Sequence, residues 1–175
     1  MTDLPTFVHA DADRIQGSRA HLLGQIALPL GDAGWRLTPR LSLNSAAYQT
    51  DRPMSDGRRR AHRTIPGFSV DSAWTLERET AAFGRALVQT LEPRLLYALT
   101  PWRDQSALPD FDSAALDFNA TTVFSDNIFS GIDRVSDANQ VTAGLTTRYL
   151  DRASGAELAR FGIAQRYLLR DQRIT

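Results

Sequence analysis

The sequence predicts an all-β fold, in which about seven to eight long strands form an antiparallel up-and-down sheet. Apolar residues recur at every second position over long runs, ionisable residues occupy the alternate positions inside those runs, and the connections alternate between short and long. These observations favour a membrane β-barrel over a soluble β-sandwich or jelly roll. A wide barrel turns its apolar face to lipid and its polar face to a wet lumen.

The composition fits this prediction and excludes several classes of function. A length of 175 residues suits one domain, and the mean hydropathy of −0.30 suits strands that are apolar only at alternate positions. Because 20 Lys and Arg balance 20 Asp and Glu, electrostatic capture of nucleic acid is not expected. The chain has no cysteine, so neither a disulfide nor a thiolate metal site is expected. Neither a signal-peptide pattern nor an apolar run of about 18 residues is found.

The first predicted hairpin alternates from Ala20 to Leu30 and again from Trp35 to Asn44, with a turn at residues 31–34. The following stretch, DRPMSDGRRRA at residues 51–61, is charged, contains Pro and Gly, and predicts a long loop.

The loop carries three consecutive arginines, Arg58, Arg59 and Arg60. They could bind a phosphate group, although a solvated loop tip is the simpler interpretation of such a charge run.

Two further hairpins follow. Residues 68–77 and 90–99 alternate around a predicted turn at residues 79–85, and residues 140–149 and 159–169 alternate around DRASGAE. Proline cannot donate to a ladder, so Pro39 and Pro93 are predicted to mark a strand end or a bulge. An interfacial aromatic girdle, or an aromatic core, is indicated by Trp35, Tyr48, Trp74, Tyr97, Tyr149 and Tyr167.

Four ionisable residues inside these strands are candidates for facing a barrel lumen: Asp71, Glu77, Glu92 and Arg94. Glu77 and Arg94 could pair across the second hairpin, and such a pair could equally serve only to fix the register.

The sequence offers no positive sign of catalysis, a cofactor or a metal. His9, His21 and His62 lack metal-ligand spacing, and no G-x-S-x-G or glycine-rich phosphate loop occurs. The acids near residue 130 lack the spacing of a calcium loop. An enzyme is therefore not expected, and no catalytic, cofactor-binding or metal-binding residue is predicted.

Several segments of the chain resemble one known family. They are QTLEPRLLY (89–97), PWRDQSALPDFDSAALDFN (101–119), FSDNIFSGIDRVSDANQVTAGLTTRYLD (124–151) and GAELARFGIAQRYLLRD (155–171), with GSRAHLLGQIALPL, WRLTPRLSL and RTIPGFSVDSAWTLER upstream. In these residues the chain is similar to the lipopolysaccharide-assembly outer-membrane protein family LptD, also called OstA or Imp. Ile128 departs from the pattern, because the family commonly has Arg there. The motif residues are Glu92, Pro93, Arg94, Asp104, Gln105, Pro109, Phe111, Asp112, Ser113, Phe129, Gly131, Asp133, Arg134, Asp137, Asn139 and Gln140.

The resemblance implies that residues 1–175 are part of a large C-terminal β-barrel in the Gram-negative outer membrane. A signal peptide, a periplasmic jellyroll and the terminal barrel strands would be absent from this chain. The implied function is a segment of the translocon that assembles lipopolysaccharide into the outer leaflet, by non-catalytic transport through a lumen and a lateral gate.

The implied partners are lipopolysaccharide, an LptE-like plug lipoprotein, outer-membrane lipid, and periplasmic bridge proteins that act through the absent N-terminal domain. From the residues alone, two alternatives stay open: another outer-membrane barrel such as a porin, or a soluble glycan-binding β-sandwich.

The segment NIFSGIDRVSDANQ (127–140) fits no simple period and is expected to be an ordered connection at the barrel rim or lumen. Gly131 would permit a bend. Phe129, Ile132 and Val135 would anchor the connection, and polar bonds from Asp133, Arg134, Asp137 and Asn139 would hold it together.

Overall fold

In a computed structural model that describes residues 2–3, 6–7, 15–82 and 84–174, the chain forms strands joined by turns and loops. The all-β prediction is confirmed. No helix in these ranges is long and apolar enough to cross a membrane. The strands are β1 (Thr2–Asp3), β2 (Thr6–Phe7), β3 (Gly17–Ala27), β4 (Leu30–Gly31), β5 (Trp35–Thr50), β6 (Arg60–Trp74), β7 (Leu76–Ala82), β8 (Arg85–Thr100), β9 (Ala138–Asp151) and β10 (Glu157–Leu168).

All the strands belong to one antiparallel sheet in the order β1-β3-β5-β6-β8-β9-β10. The remaining segments extend this path, since β2 also pairs with β3, β4 pairs with β5, and β7 pairs with β8. The sheet therefore has seven strand positions within the described residues, in agreement with the predicted up-and-down sheet. It is not closed there, because β10 pairs only with β9 and leaves one edge open.

The connections differ at the two ends of the sheet. Residues 51–59 and 101–137 connect strands at one end, which we call the long-connection end. At the opposite, short-turn end the connections are only residues 32–34, 83–84 and 152–156. Two predicted boundaries were wrong because the ladders run further than the alternation suggested. Arg60 and Ala61 already belong to β6, and most of the turn predicted at residues 79–85 is strand, because β7 extends to Ala82 and β8 begins at Arg85.

Pro39 and Pro93 do not lie at strand ends, as one interpretation had it. Pro39 lies within β5 and Pro93 within β8. Each lies opposite an interruption in a neighbouring strand: β3 gives way to β4 across from Pro39, and β6 gives way to β7 across from Pro93. Proline has no N–H for its neighbour, so the ladder is broken at these places while the proline strand continues.

One face of the sheet is apolar and uncovered. Register aligns large side chains across the strands, as in the row Ile26, Leu41, Phe68 and Leu99. Ile26 and Ile163 are both 76% exposed, so these side chains do not form a packed core. An apolar face of this extent requires an apolar surrounding. Other exposed side chains on this face are Leu22, Trp35, Leu43, Trp74, Leu76, Leu91, Leu95, Leu145, Phe161 and Tyr167.

One of the six aromatic residues expected on the apolar face lies on the opposite face. Tyr48 pairs with Arg19 and Ala61 in the register, on the polar face, and is 3% exposed. It lies an odd number of residues from Trp35 in the same strand, and odd spacings change the face of a strand.

Candidate functional site on the polar face

Charged side chains lie in a row across the polar face. Arg94 on β8 donates hydrogen bonds of 2.9 and 2.8 Å to the two carboxylate oxygens of Asp71 on β6. Arg36 on β5 lies 3.8 Å from the same carboxylate and is 57% exposed. The Asp71 carboxylate is thus shared by two guanidinium groups, and the more exposed one remains accessible.

The row continues towards the edge strand. Glu92 on β8 accepts hydrogen bonds from Thr90, at 2.8 Å, and from Arg148 on β9, at 2.6 Å. On β10, Arg160 pairs with Glu157 through two hydrogen bonds of 2.9 and 2.8 Å. Cations and carboxylates therefore alternate along the row. We call the following residues the charged row: Arg36, Asp71, Arg94, Glu92, Arg148, Glu157 and Arg160.

The four candidates for lumen-facing charges share this polar face. Asp71, Glu92 and Arg94 belong to the charged row. Glu77 lies directly opposite Thr90 in the register, and directly paired residues project from the same face. The suggested pair of Glu77 with Arg94 does not form, because Arg94 reaches diagonally to Asp71 on the nearer strand segment.

The connection between β8 and β9 folds back over the polar face at the long-connection end. We call residues 101–137 the cap. Arg166 on β10 donates hydrogen bonds of 2.7 and 3.1 Å to the carbonyl oxygens of Val123 and Ser125 in the cap. Gln140 on β9 donates to the same Ser125 carbonyl at 3.1 Å. Side chains of the sheet thereby satisfy backbone acceptors of the cap, which would otherwise be costly to bury.

A buried ion pair joins the cap to β3. Arg19, which is 3% exposed, contacts Asp112 at 3.0 Å and the fully buried Asp133 at 2.8 Å. The backbone N–H of Phe111 also donates to Asp133, at 2.6 Å. Burial alone would raise the pKa of Asp112, but hydrogen bonds from Arg19 and from the N–H of Ile132 outweigh it, so the pKa lies below its ordinary value. The lowered pKa keeps the Asp112 carboxylate ionised beside the Arg19 guanidinium.

A second arginine attaches the same part of the cap to the neighbouring strands. Arg63 on β6 is 4% exposed and donates to the carbonyl oxygen of Ile132 and, at 2.9 Å, to the side-chain oxygen of Asn44 on β5. The His21 ring on β3 lies 3.2 Å from that same oxygen. Arg63 therefore bonds the turn of the cap directly, while Asn44 on the adjacent strand, itself in contact with His21, holds the guanidinium in position.

That turn depends on a glycine. Gly131 has φ +69°, and a Cβ at this position would lie 2.3 Å from the carbonyl oxygen of Asp112. Only glycine permits both the left-handed backbone and this close approach. On the far side of the turn, the hydroxyl of Ser113 accepts hydrogen bonds of 2.9 Å from the N–H groups of both Asp133 and Arg134.

Two side chains hold the remainder of the cap together. Gln105, which is 1% exposed, donates to the carbonyl of Val135 at 2.7 Å and accepts from its N–H at 3.2 Å. Arg134 donates to the carbonyl oxygens of Gln105 and Leu108, and its Nε lies 3.3 Å from Asp110. The segment at residues 127–140 is thus folded against residues 105–113 through specific polar bonds.

An aromatic ring connects the cap with the charged row. The guanidinium of Arg94 lies 4.2 Å from the ring centroid of Phe124, within the range of a cation–π contact. Gly144 on β9 leaves the space for this ring, since a Cβ there would lie 2.7 Å from its Cζ atom. Phe124 therefore lies where the cap ends and the open polar face begins.

Asp110, Asp112 and Asp133 form an acidic cluster, with one oxygen from each within 4.8 Å of the others. Each carboxylate is already paired with an arginine: Asp110 with Arg134, and the other two with Arg19. A metal ion at this position would have to compete with the arginine side chains for the carboxylate oxygens. The ion pairs with Arg19 and Arg134 therefore account for the cluster.

The other motif residues lie in the cap or in β8 and β9. Asp104 accepts hydrogen bonds from the N–H and hydroxyl of Ser106, and Pro109 is buried. Asp137 accepts 2.9 Å bonds from the N–H groups of Arg173 and Ile174, which attaches the chain after β10 to the cap. Phe129 bridges to Ala115, Asn139 lies 3.3 Å from the Tyr97 hydroxyl, and Glu92, Pro93, Arg94 and Gln140 lie in strands.

The sequence analysis did not identify the three arginines that attach the cap to the sheet: Arg19, Arg63 and Arg166. Each lies on the polar face in the half of its strand nearest the long-connection end. A signal was available, because an arginine at such a position lies close to any connection that folds inward. Its partner could not be identified, since Arg19 and Asp112 are 93 positions apart in sequence.

We expect Gly144→Ala to loosen the cap. The added Cβ would overlap Phe124 and force its ring away from Arg94, at a cost of about 1–3 kcal/mol. Hydrogen exchange of residues 122–125 should accelerate. Gly24→Ala is the matched control, because a Cβ at this strand glycine meets nothing within 4 Å. Equal protection of the cap in both variants would contradict the packing described for Phe124.

We expect Asp133→Asn to release the cap from β3. The substitution leaves the buried Arg19 with one carboxylate, and breaking a buried pair costs about 3–5 kcal/mol. Protease sensitivity within residues 101–137 should rise. Asp126→Asn provides the control in the same segment, because Asp126 is 46% exposed and lies 4.0 Å from Arg40. If both variants resisted protease like the parent, the Arg19 contact would not be what holds the cap.

Comparisons with known proteins identify the family. The family described as LPS transport system D matches residues 3–175. An LPS-assembly protein LptD from Polaromonas sp. is 50% identical over 159 residues, covering 90% of this chain and 19% of the relative. Proteins of the same name from Albidiferax ferrireducens and Bordetella pertussis are 46% and 40% identical, covering 96% and 91% of this chain.

The chain spans about a fifth of the length of these relatives, at 22% and 21% of the latter two. The expected resemblance is confirmed over nearly all of the sequence. The chain belongs to the LptD family.

Proposed function

We propose that this chain is a wall segment of the outer-membrane β-barrel that assembles lipopolysaccharide into the outer leaflet. One observation carries the proposal: a single sheet has an uncovered apolar face on one side, and a charged face with an inward-folded cap on the other. The relatives are named LPS-assembly proteins, and this name identifies lipopolysaccharide as the molecule to be assembled.

The two faces suit two solvents. The apolar face is the surface that would contact the acyl chains of the bilayer. The opposite face would line a wet lumen, in which Asp71, Glu77, Glu92 and Arg94 offer polar groups to sugars and phosphates. Outer-membrane barrels have short periplasmic turns and longer extracellular loops, so the long-connection end is assigned to the cell exterior.

The cap narrows the outer half of this lumen, while the charged row remains open in the inner half. In our proposal lipopolysaccharide meets the charged row first and cannot continue straight outwards past the cap. It therefore leaves sideways, through a lateral gate between barrel strands elsewhere in the protein. The process moves an intact molecule and needs no covalent step.

The same proposal includes the partners expected from the family. An LptE-like lipoprotein would occupy the lumen as a plug, and the alternating charges of the charged row offer it both donors and acceptors. Bridge proteins in the periplasm would act through a domain outside this chain.

We expect Leu41→Arg to impair insertion of the full-length protein into the outer membrane. Leu41 is 60% exposed in the middle of the apolar face, where a charge facing lipid costs about 2–4 kcal/mol. Gln25→Arg is the control, since Gln25 is exposed on the polar face at a neighbouring register position. Fractionation of membranes measures both. Normal assembly of Leu41→Arg would exclude a lipid-facing position for this surface.

We expect Arg36→Glu to slow delivery of lipopolysaccharide to the cell surface by about tenfold, the effect of one lost charge-assisted contact. The assay is the surface-accessible fraction of lipopolysaccharide in cells that depend on the variant. Arg152→Glu is the control, because Arg152 is 55% exposed, close to the 57% of Arg36, but lies in a short turn. The proposed role of the charged row fails if the barrel assembles normally and both variants deliver alike.

A further inference from the structure

A small polar surface interrupts the apolar side of the sheet at the long-connection end. The register aligns three strands there in two successive rows. The outer row is the most polar part of this side, and the inner row consists of two alanines and a histidine. We call these six residues the rim patch: Ser18, Gln49 and Arg60 in the outer row, and Ala20, Ala47 and His62 in the inner row.

The rim patch lies at the boundary of the apolar face. The next row towards the short-turn end holds Leu22, Ser45 and Thr64, and every row beyond it is dominated by large apolar side chains. Successive rows are separated by two residues, or about 6.6 Å along a strand. Arg60 is three rows from the first fully apolar row, which contains Leu43 and Pro66, or about 20 Å along the strand. For barrel strands tilted by about 45° this is about 14 Å along the bilayer normal, at the depth of the lipid headgroups.

The arginine triplet at residues 58–60 divides into three different roles. Arg58 is neutralised by Asp56, to which it donates two side-chain hydrogen bonds of 2.8 and 2.6 Å. This contact lowers the pKa of Asp56, through the hydrogen bond from the Arg58 side chain first. The carbonyl of Arg59 accepts the N–H of Thr50 at 2.9 Å and closes the loop.

Arg60 differs from the other two, because its side chain projects from the apolar side of β6. It is exposed, as is His62 two residues further along the same side. Neither side chain has an ion pair or hydrogen bond to any residue in the described ranges. No carboxylate belongs to the rim patch. The cationic charge of Arg60 is therefore available to a ligand from outside the chain.

The surface between these side chains is shallow and open to solvent. A depression of about 580 Å³ lies over the residues of the rim patch. Two of its lining residues, Ala20 and Ala47, have small side chains that leave the backbone accessible to a bulky group, while Gln49 and Ser18 provide hydrogen-bonding groups beside Arg60.

We propose that the rim patch binds the phosphorylated headgroup of a glycolipid in the outer leaflet. This inference rests on the proposed function, which assigns the long-connection end to the cell exterior. The guanidinium of Arg60 presents a planar fork that matches two phosphate oxygens, and His62 can donate a further hydrogen bond. The acyl chains of the same lipid would follow the apolar rows through Leu22 and Leu43.

The test uses the full-length protein in detergent micelles. Bisphosphorylated lipid A, its dephosphorylated counterpart with the same acyl chains, and inorganic phosphate are added separately, and native mass spectrometry measures the bound fraction. The test variant is the double substitution Arg60→Gln with His62→Gln. Arg85→Gln is the control, because Arg85 is an exposed arginine on the apolar side at the short-turn end.

We expect the parent protein to bind the phosphorylated lipid at least about tenfold more tightly than the dephosphorylated lipid. The double variant should lose this preference and the control should keep it. Equal binding of the two lipids by the parent, or an equal loss in both variants, would overturn the proposal. The proposal would also be overturned if inorganic phosphate alone displaced the phosphorylated lipid, because the site would then be one for the free anion.

Delivery of lipopolysaccharide by the parent protein is measured separately in cells. If delivery is normal and the lipid preference is missing, only the rim patch is refuted. If delivery is absent while the preference is present, the patch still binds the headgroup and the transport proposal fails.

Discussion

The structure depends on the rule that successive side chains of a strand project to opposite faces. Because the apolar face is left uncovered, the sheet gains no packed interior on that side. Most of the buried residues lie on the opposite face or in the cap that covers it, and many of them are polar: Arg19, His21, Arg63, Gln105, Asp133, Ser136, Gln140 and Thr142. The interior of this segment is thus a hydrogen-bonded interface between sheet and connection.

An interior of this kind makes the cap and the sheet dependent on each other. Arg19 and Arg63 are nearly inaccessible, and a buried guanidinium without partners is strongly unfavourable. The cap supplies carboxylates and carbonyl oxygens to these cations, and the cations in turn fix the turn at Gly131. Removing either side leaves buried polar groups on the other, so the position of the cap follows from the polar face itself.

Much of the sheet could be predicted from the sequence, because alternation is a local signal. It located the long strands, assigned Asp71, Glu77, Glu92 and Arg94 to one face, and identified Gly131 as a bend. The alternation could not predict features of one strand that are determined by its pairing with the neighbouring strand. The interruptions opposite Pro39 and Pro93, and the pairing of Arg94 with Asp71, follow from register. The contact between Arg19 and Asp112 joins β3 to the cap across 93 positions of sequence, and periodicity carries no information about it.

The proline interruptions have a mechanical consequence. Between them, β5 and β6 share an unbroken ladder from the Trp35–Trp74 pair to the Gln49–Arg60 pair, so this pair of strands behaves as a stiff panel. On each side of the panel the register is interrupted at one place, opposite Pro39 on one side and opposite Pro93 on the other, and it resumes in β4 and β7. A sheet bends most easily where its ladder is broken. The sheet can therefore flex along two lines through these interruptions, while β5 and β6 keep their shape as far as the long-connection end.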